Sequence, residues 1–325
     1  MRFRELDLIR GALVLYVVFY HMSLAYGYIL FDSSDRPAFY FIMSFFMVPF
    51  YFFSGFLFSS KRNTMSYIRN KFKKLVLPYV FWGGISLVIY YLYSLWVSSE
   101  IDYLWPFRQI PYTAGLGSNT PIWFLFSLFC VSVIYYFISV CFKRLYQHLI
   151  IAIVFIFACI VHNRTQILSC GNIALGLVYY HLGYIFRCFS DTKYTDNIKM
   201  FLIAIAIFSL ILIFDRQDLA FVTLYQRSGS FLLNVPFSLC ACYILWFLAK
   251  RIEYIKPINM IGMYSLTLFA SHRIVLNWIY SPLIMKVYPD ISFPIYVIVG
   301  MTVILFVYGL LTLLMKKYCP LLIGL

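Results

Sequence analysis

The chain has 325 residues, of which 63% are hydrophobic, 21% aromatic and only 12% charged. A soluble globular chain carries about 25% charged residues, so an ordinary soluble enzyme is excluded, and a disordered chain more firmly still. The net charge of +14 could suggest nucleic acid, but the positive residues sit in short clusters between apolar runs, as in cytoplasmic loops of membrane proteins. No nucleic-acid partner is expected; lipid headgroups and a phosphorylated ligand are.

Apolar runs long enough to cross a bilayer recur from end to end. The reading is an all-α, polytopic integral membrane protein of about ten transmembrane helices, at 8–30, 37–59, 78–98, 121–142, 148–162, 171–188, 199–214, 228–249, 259–280 and 293–315. Residues 1–325 are expected to form a single transmembrane domain with no appended soluble domain. The first run is too long for a cleavable leader and lacks a small-residue cleavage site, so it is expected to remain as the first helix. The stretch 61–78 reads as a basic loop, and 99–120, with Pro106, Pro111, Gly115 and Gly117, as an irregular or re-entrant one. With the N-terminus inside, nineteen of the 26 Lys and Arg residues fall on the cytoplasmic side and seven on the other. That bias puts both termini in the cytoplasm. The eight cysteines show no zinc-ligand spacing, so neither a disulfide framework nor a metal site is expected. No internal repeat supports an inverted-repeat transporter.

Chemistry is concentrated in the first helix. Arg10 and His21 are eleven residues apart, which on a helix is three turns plus about 20°, so both face the same way, about 16 Å apart along the axis. An ionisable side chain at membrane depth faces a cavity or a partner. His21 reads as a general base or as an imidazole bonded between helices. Arg10, always charged, reads as an anion contact or a topology anchor. The 61–78 stretch carries six basic residues and no acidic one, and Arg69, Lys73 and Lys74 lie at helical spacing. It reads as a phosphate site at a cytoplasmic mouth or as an orientation signal. His272 and Arg273 form a second polar pair at depth, suited to an acceptor contact or to helix packing. His181 reads as structural, and His148 and His162 as span-end residues. Asp32, Asp35, Asp215 and Asp218 fall in outer loops, where they are solvated or line an acceptor entrance. Trp105, Trp123 and Trp278 are candidates for stacking on sugar rings.

These residues carry a resemblance. Asp7-Leu8-Ile9-Arg10-Gly11 followed by His21 resembles the first-helix motif of the membrane acyltransferase 3 family. In order, Phe52-Phe53-Ser54-Gly55-Phe56 resembles its second-helix Ser-Gly segment, and the basic stretch from Arg69 to Pro78 and Tyr79 the one preceding the third helix. Pro121-Ile122-Trp123-Phe124-Leu125 resembles the Trp-Phe segment, and Tyr264-Ser265-Leu266 with His272 the late Tyr-Ser and His segment. The ordered match runs over essentially the whole chain. It implies an O-acyltransferase, usually an O-acetyltransferase, in a bacterial cytoplasmic membrane. The donor would be cytoplasmic acyl-CoA, acetyl-CoA first, with no metal. The acceptor would be a hydroxyl on a cell-surface polysaccharide or lipid-linked sugar. Arg10 and His21 carry over as the essential pair, and Arg69, Lys71, Lys73 and Lys74 as coenzyme A contacts. Asp7, Ser54, Trp123, His272 and Arg273 are further site positions. This chain departs in being lysine-rich where arginine is common, and lysine meets phosphate as a point charge rather than a fork. Two other classes compete: a glycolipid or polysaccharide transporter or flippase, which gives the Arg10–His21 alignment no purpose, and a polysaccharide polymerase or ligase, which calls for larger outer loops.

Overall fold

The computed structural model describes residues 3–27, 47–61, 63–97, 103–108, 110–113, 115–116, 119–161, 169–190, 196–214 and 231–323. Backbone in hydrocarbon has no water to bond and must satisfy itself, which favours helices. Among the described residues all regular structure is helical, apart from one isolated bridge between Leu116 and Asn119. In chain order the main helices are α1 (Arg4–Ala25), α2 (Val48–Phe56), α3 (Thr64–Lys71), α4 (Leu77–Val97), α5 (Trp123–Cys141), α6 (Arg144–Val161) and α7 (Cys170–Phe189). They continue as α8 (Ile198–Phe214), α9 (Phe231–Ile252), α10 (Lys256–Met263), α11 (Ser265–Val275), α12 (Ser281–Val287) and α13 (Phe293–Tyr318). Five described helical stretches are long and apolar enough to cross a membrane: Arg4–Ala25, Thr64–Trp96, Thr120–Cys141, Leu233–Ile252 and Phe293–Tyr318. The protein is a multi-pass membrane protein. The outer loop acids, Asp32, Asp35, Asp215 and Asp218, and His162 lie outside the described residues.

Two helices depart from the expected boundaries, for one shared reason. The basic stretch is helical from Thr64 onward and runs into α4 through a π turn, Phe72–Val76, closed by Leu77 N–H donating to Phe72 O. The late span is likewise broken at Tyr264, continues as α11 and passes through a second π turn, Leu276–Tyr280, closed by Ser281 N–H donating to Leu276 O. Each π turn stands one residue before a proline, Pro78 and Pro282. A proline ring collides with the carbonyl four residues back. Widening the preceding turn to a five-residue repeat moves that carbonyl aside and lets the helix continue.

The elements converge on α1. Just over half of it is buried, whereas α13 and the Thr64–Trp96 stretch turn most of their residues outward. Close approach to α1 depends on glycine. A Cβ on Gly11 would lie 2.1 Å from Ile258 O, and one on Gly262 only 1.8 Å from Asp7 O, so α1 and α10 touch backbone to backbone from both sides. The same reciprocity joins α2 to α7: a Cβ on Gly55 would lie 1.8 Å from Tyr180 O, and one on Gly183 1.8 Å from Phe52 O. Small residues at such crossings let membrane helices gain van der Waals contact where apolar burial gives no drive. Asn259 completes the α1–α10 joint, its Nδ2 donating to Arg4 O at 2.8 Å while its Oδ1 accepts from Ile255 N at 2.9 Å. Irregular residues before α5 are tied in as well: Asn119 Nδ2 donates to Ala270 O at 2.7 Å, and Ser86 Oγ to Leu116 O at 3.2 Å.

Candidate active site

A cavity of about 270 Å³ lies between α1, α2, the α3–α4 helix, α5 and the α10–α11 break. Its two ends differ in chemistry. Arg10, Asn70, Lys71, Lys74 and Ser265, half-buried or exposed, form its accessible polar lining, with no acidic residue among the described lining residues. Phe53, Phe124, Leu125, Leu128 and Phe269 line the buried end. Ser54 lines it from α2. Three cations gathered on one partly desolvated wall suit an anionic ligand.

The basic helix owes its position to Tyr67, which is buried, stacks on Tyr136 with ring centroids 4.5 Å apart and donates to Ser132 O at 3.3 Å. The Lys71 ammonium lies 5.6 Å from the centre of that Tyr67 ring. Helical spacing pointed to Arg69, Lys73 and Lys74 as the shared face. The structure instead puts Lys71 and Lys74 on the cavity together with Asn70, and leaves Arg69 and Lys73 off it.

Phe269 on the cavity lining stands next to a histidine pair, its ring 6.1 Å from that of His272. His21 on α1 and His272 on α11, 251 residues apart in sequence, meet with His272 Nε2 3.0 Å from His21 Nδ1. The neighbours fix the tautomers of two neutral rings. His272 Nδ1 lies 2.7 Å from Phe269 O and 3.1 Å from Leu268 O. Carbonyls only accept, so this nitrogen carries the proton and Nε2 is left as an acceptor. His21 Nδ1 therefore donates to His272 Nε2, and Val17 O, 3.0 Å away, asks for the same proton on the same atom. The lone pair of His21 is thereby committed to Nε2. Arg273 is close enough for its charge to act on both rings. Its Nε is buried without a hydrogen-bond partner among the described residues, an arrangement that is costly unless a further group completes it.

The pattern that defines the acyltransferase domain Acyl_transf_3 matches residues 3–313. The chain belongs to the acyltransferase 3 family. No curated protein and no solved structure matches it. Family membership makes the protein a membrane acyltransferase using an acyl donor, and the positions named from sequence can be placed within it. Arg10, Ser54, Lys71 and Lys74 share the cavity; His21, His272 and Arg273 share the site beyond it. Asp7 is buried on the first turn of α1 with its carbonyl against Gly262, a place in the α1–α10 joint and off the cavity wall. Trp123 is buried, its ring 6.2 Å from that of Phe124. Trp278 packs on Tyr93, with centroids 4.8 Å apart. His181 is held on both ring nitrogens, by Tyr135 Oη and by His148 Nδ1, each at 2.8 Å, and joins α5, α6 and α7. Sequence reading did not single out Asn70, Phe124 or Phe269 as lining residues. Asn70, Phe124 and Ser265 stood inside motifs already noted, but nothing in a row of phenylalanines tells a cavity wall from ordinary packing.

Proposed function

We propose that this acyltransferase is an O-acetyltransferase that moves a short acyl group from cytoplasmic acyl-CoA to a hydroxyl of a cell-surface polysaccharide or lipid-linked glycan precursor. It would lie in a bacterial cytoplasmic membrane as a single domain of about ten spans, with both termini inside. The observation that carries the reading is the order of parts: a cationic mouth, an apolar inner end, then a histidine with a defined basic nitrogen. The phosphates of coenzyme A meet Arg10, Lys71 and Lys74. The pantetheine arm, about as long as the axial gap between Arg10 and His21, delivers the thioester inward. His21 Nε2 takes the proton of the acceptor hydroxyl as its oxygen attacks the thioester carbonyl. The C–S bond breaks, and the proton passes from His21 to the leaving thiolate. Arg273 is placed to steady the negative charge that builds on the carbonyl oxygen, while Arg10 stays with the donor. Arg69 and Lys73, off the cavity wall, serve as outer steering charges for the same phosphates.

The deciding experiment incubates detergent-purified protein with acetyl-CoA and crude envelope glycan. Thiol release with acetylated glycan is expected. Lys71→Ala and Lys74→Ala should each raise the donor KM about tenfold with kcat nearly kept, the scale of one charge-assisted contact. A wild-type protein that consumes no acyl-CoA would sink the reading.

His272 acts through His21. Its replacement by Ala should lower kcat roughly 10- to 100-fold, the scale on which losing a histidine's orienting partner is felt at metal sites. The donor KM should not move. His272→Asn, whose amide oxygen can accept the same N–H, should recover part of the loss. Equal rates in the two variants would remove the positioning role.

A further inference from the structure

The cavity and the histidine pair are separated by one layer of rings. Phe124 and Phe269 both line the buried end of the cavity, and their centroids stand 5.6 Å apart, edge to face. Phe124 is braced from behind by Tyr51 at 5.1 Å and flanked by Phe50 at 5.5 Å. Phe269 lies 6.1 Å from the His272 ring, which lies 4.9 Å from that of His21. Both phenylalanines are almost fully buried, at 5% and 4% exposure. The cavity therefore has a closely packed wall, and ring contacts lead from it through His272 to His21.

We propose that the Phe124–Phe269 pair is the acyl-chain gauge of this protein: it admits a two-carbon acyl group to the histidines and turns longer chains away. The inference rests on the acyl-CoA reading above and adds which residues set the acyl length. A chain entering from the cationic mouth meets the two rings in edge-to-face contact. An acetyl group asks the least displacement of them to bring its carbonyl toward the histidines. Every further methylene has to displace a ring that Tyr51 on one side and His272 on the other hold in place. Close packing makes such displacement costly. Phe269 is the sharper probe, because its link to the histidine pair runs through its backbone carbonyl. Shortening its side chain leaves the Phe269 O contact to His272 Nδ1 available.

The test compares kcat/KM for acetyl-, butanoyl- and hexanoyl-CoA in wild type, Phe269→Ala and Phe124→Ala, with Phe269→Val and Phe124→Leu as milder variants should truncation to Ala prevent folding. Wild type is expected to favour acetyl. Removing a benzyl group opens room for several methylenes, each worth about tenfold or more in a fitted apolar pocket. The hexanoyl-to-acetyl ratio should therefore rise at least about tenfold in one or both folded variants. Damage from loose packing alone lowers all three donors together and leaves the ratio in place. A wild type already favouring hexanoyl, or an unmoved ratio in every variant that folds and turns over acetyl-CoA, overturns the gauge while the acyltransferase reading stands. A wild type that consumes none of the three donors overturns both.

Discussion

His21→Ala is expected to bind acetyl-CoA as wild type does and to transfer its acyl group about 10³-fold more slowly, the middle of the range for removing a general base. The separation follows from where the residue sits. In the proposed reading the donor's charged end meets Arg10, Lys71 and Lys74, which line the cavity, and His21 is not among its lining residues. What the variant loses is the only lone pair of the histidine pair not tied up by a neighbour: His272 Nε2 accepts from His21, and His272 Nδ1 carries the proton shared with Leu268 and Phe269 carbonyls. A further expectation is non-additivity. Because His272 works through His21, the double variant His21→Ala/His272→Ala should be no slower than His21→Ala alone. Donor binding by titration calorimetry and transfer by thiol release check the two halves separately. A well-folded His21→Ala that turns over at the wild-type rate would return His21 to helix packing.

Gly183→Ala is expected to yield no monodisperse folded protein, although it adds a single methyl group. That methyl would lie 1.8 Å from Phe52 O and 2.7 Å from Phe52 C, backbone atoms with no rotamer to yield. Relief requires α7 to move off α2, which breaks the reciprocal contact of Gly55 with Tyr180 and disturbs the helix that carries Ser54. Overpacking costs about 1–3 kcal/mol where side chains can adjust, and more is expected where only backbone is in the way. The matched control is Gly84→Ala in α4, where no atom lies within 4 Å of the new Cβ. It should fold normally and gain up to about 1 kcal/mol from helix propensity. Size-exclusion profiles and Tm in detergent distinguish the pair. A normal profile for Gly183→Ala would mean the two helices are less closely apposed than described.

Long apolar runs made the helical class and the membrane setting legible, and the spacing of Arg10 and His21 pointed both to one side of α1. The rest depended on long-range contacts that a linear pattern does not encode. His21 and His272 were each singled out, but their meeting is a property of how α11 crosses α1. Helical spacing was read as one basic face of Arg69, Lys73 and Lys74, whereas Lys71 and Lys74 line the cavity with Asn70, in a stretch that passes through the π turn at Phe72–Val76. A signal for it existed: a proline inside an otherwise unbroken helical pattern, repeated at Pro282. The glycines carried no message until their partners were known. Gly11 and Gly262, or Gly55 and Gly183, become informative only when each is seen against the other's helix.

A histidine pair with one member on a helix long and apolar enough to cross a membrane raises the question of energy coupling, and the orientation of the His272 ring answers it. A cell maintains a proton gradient across such a membrane, and a chain of titrating groups within it is a potential leak. The inner ring spends its Nδ1–H on the Leu268 and Phe269 carbonyls, so the string of donors stops in helix backbone. A proton taken up at His21 Nε2 has no onward path through His272 and leaves from the atom where it arrived. In the proposed reading, acyl transfer at this site is electroneutral across the bilayer and draws on the thioester alone, so its rate should be indifferent to the membrane voltage.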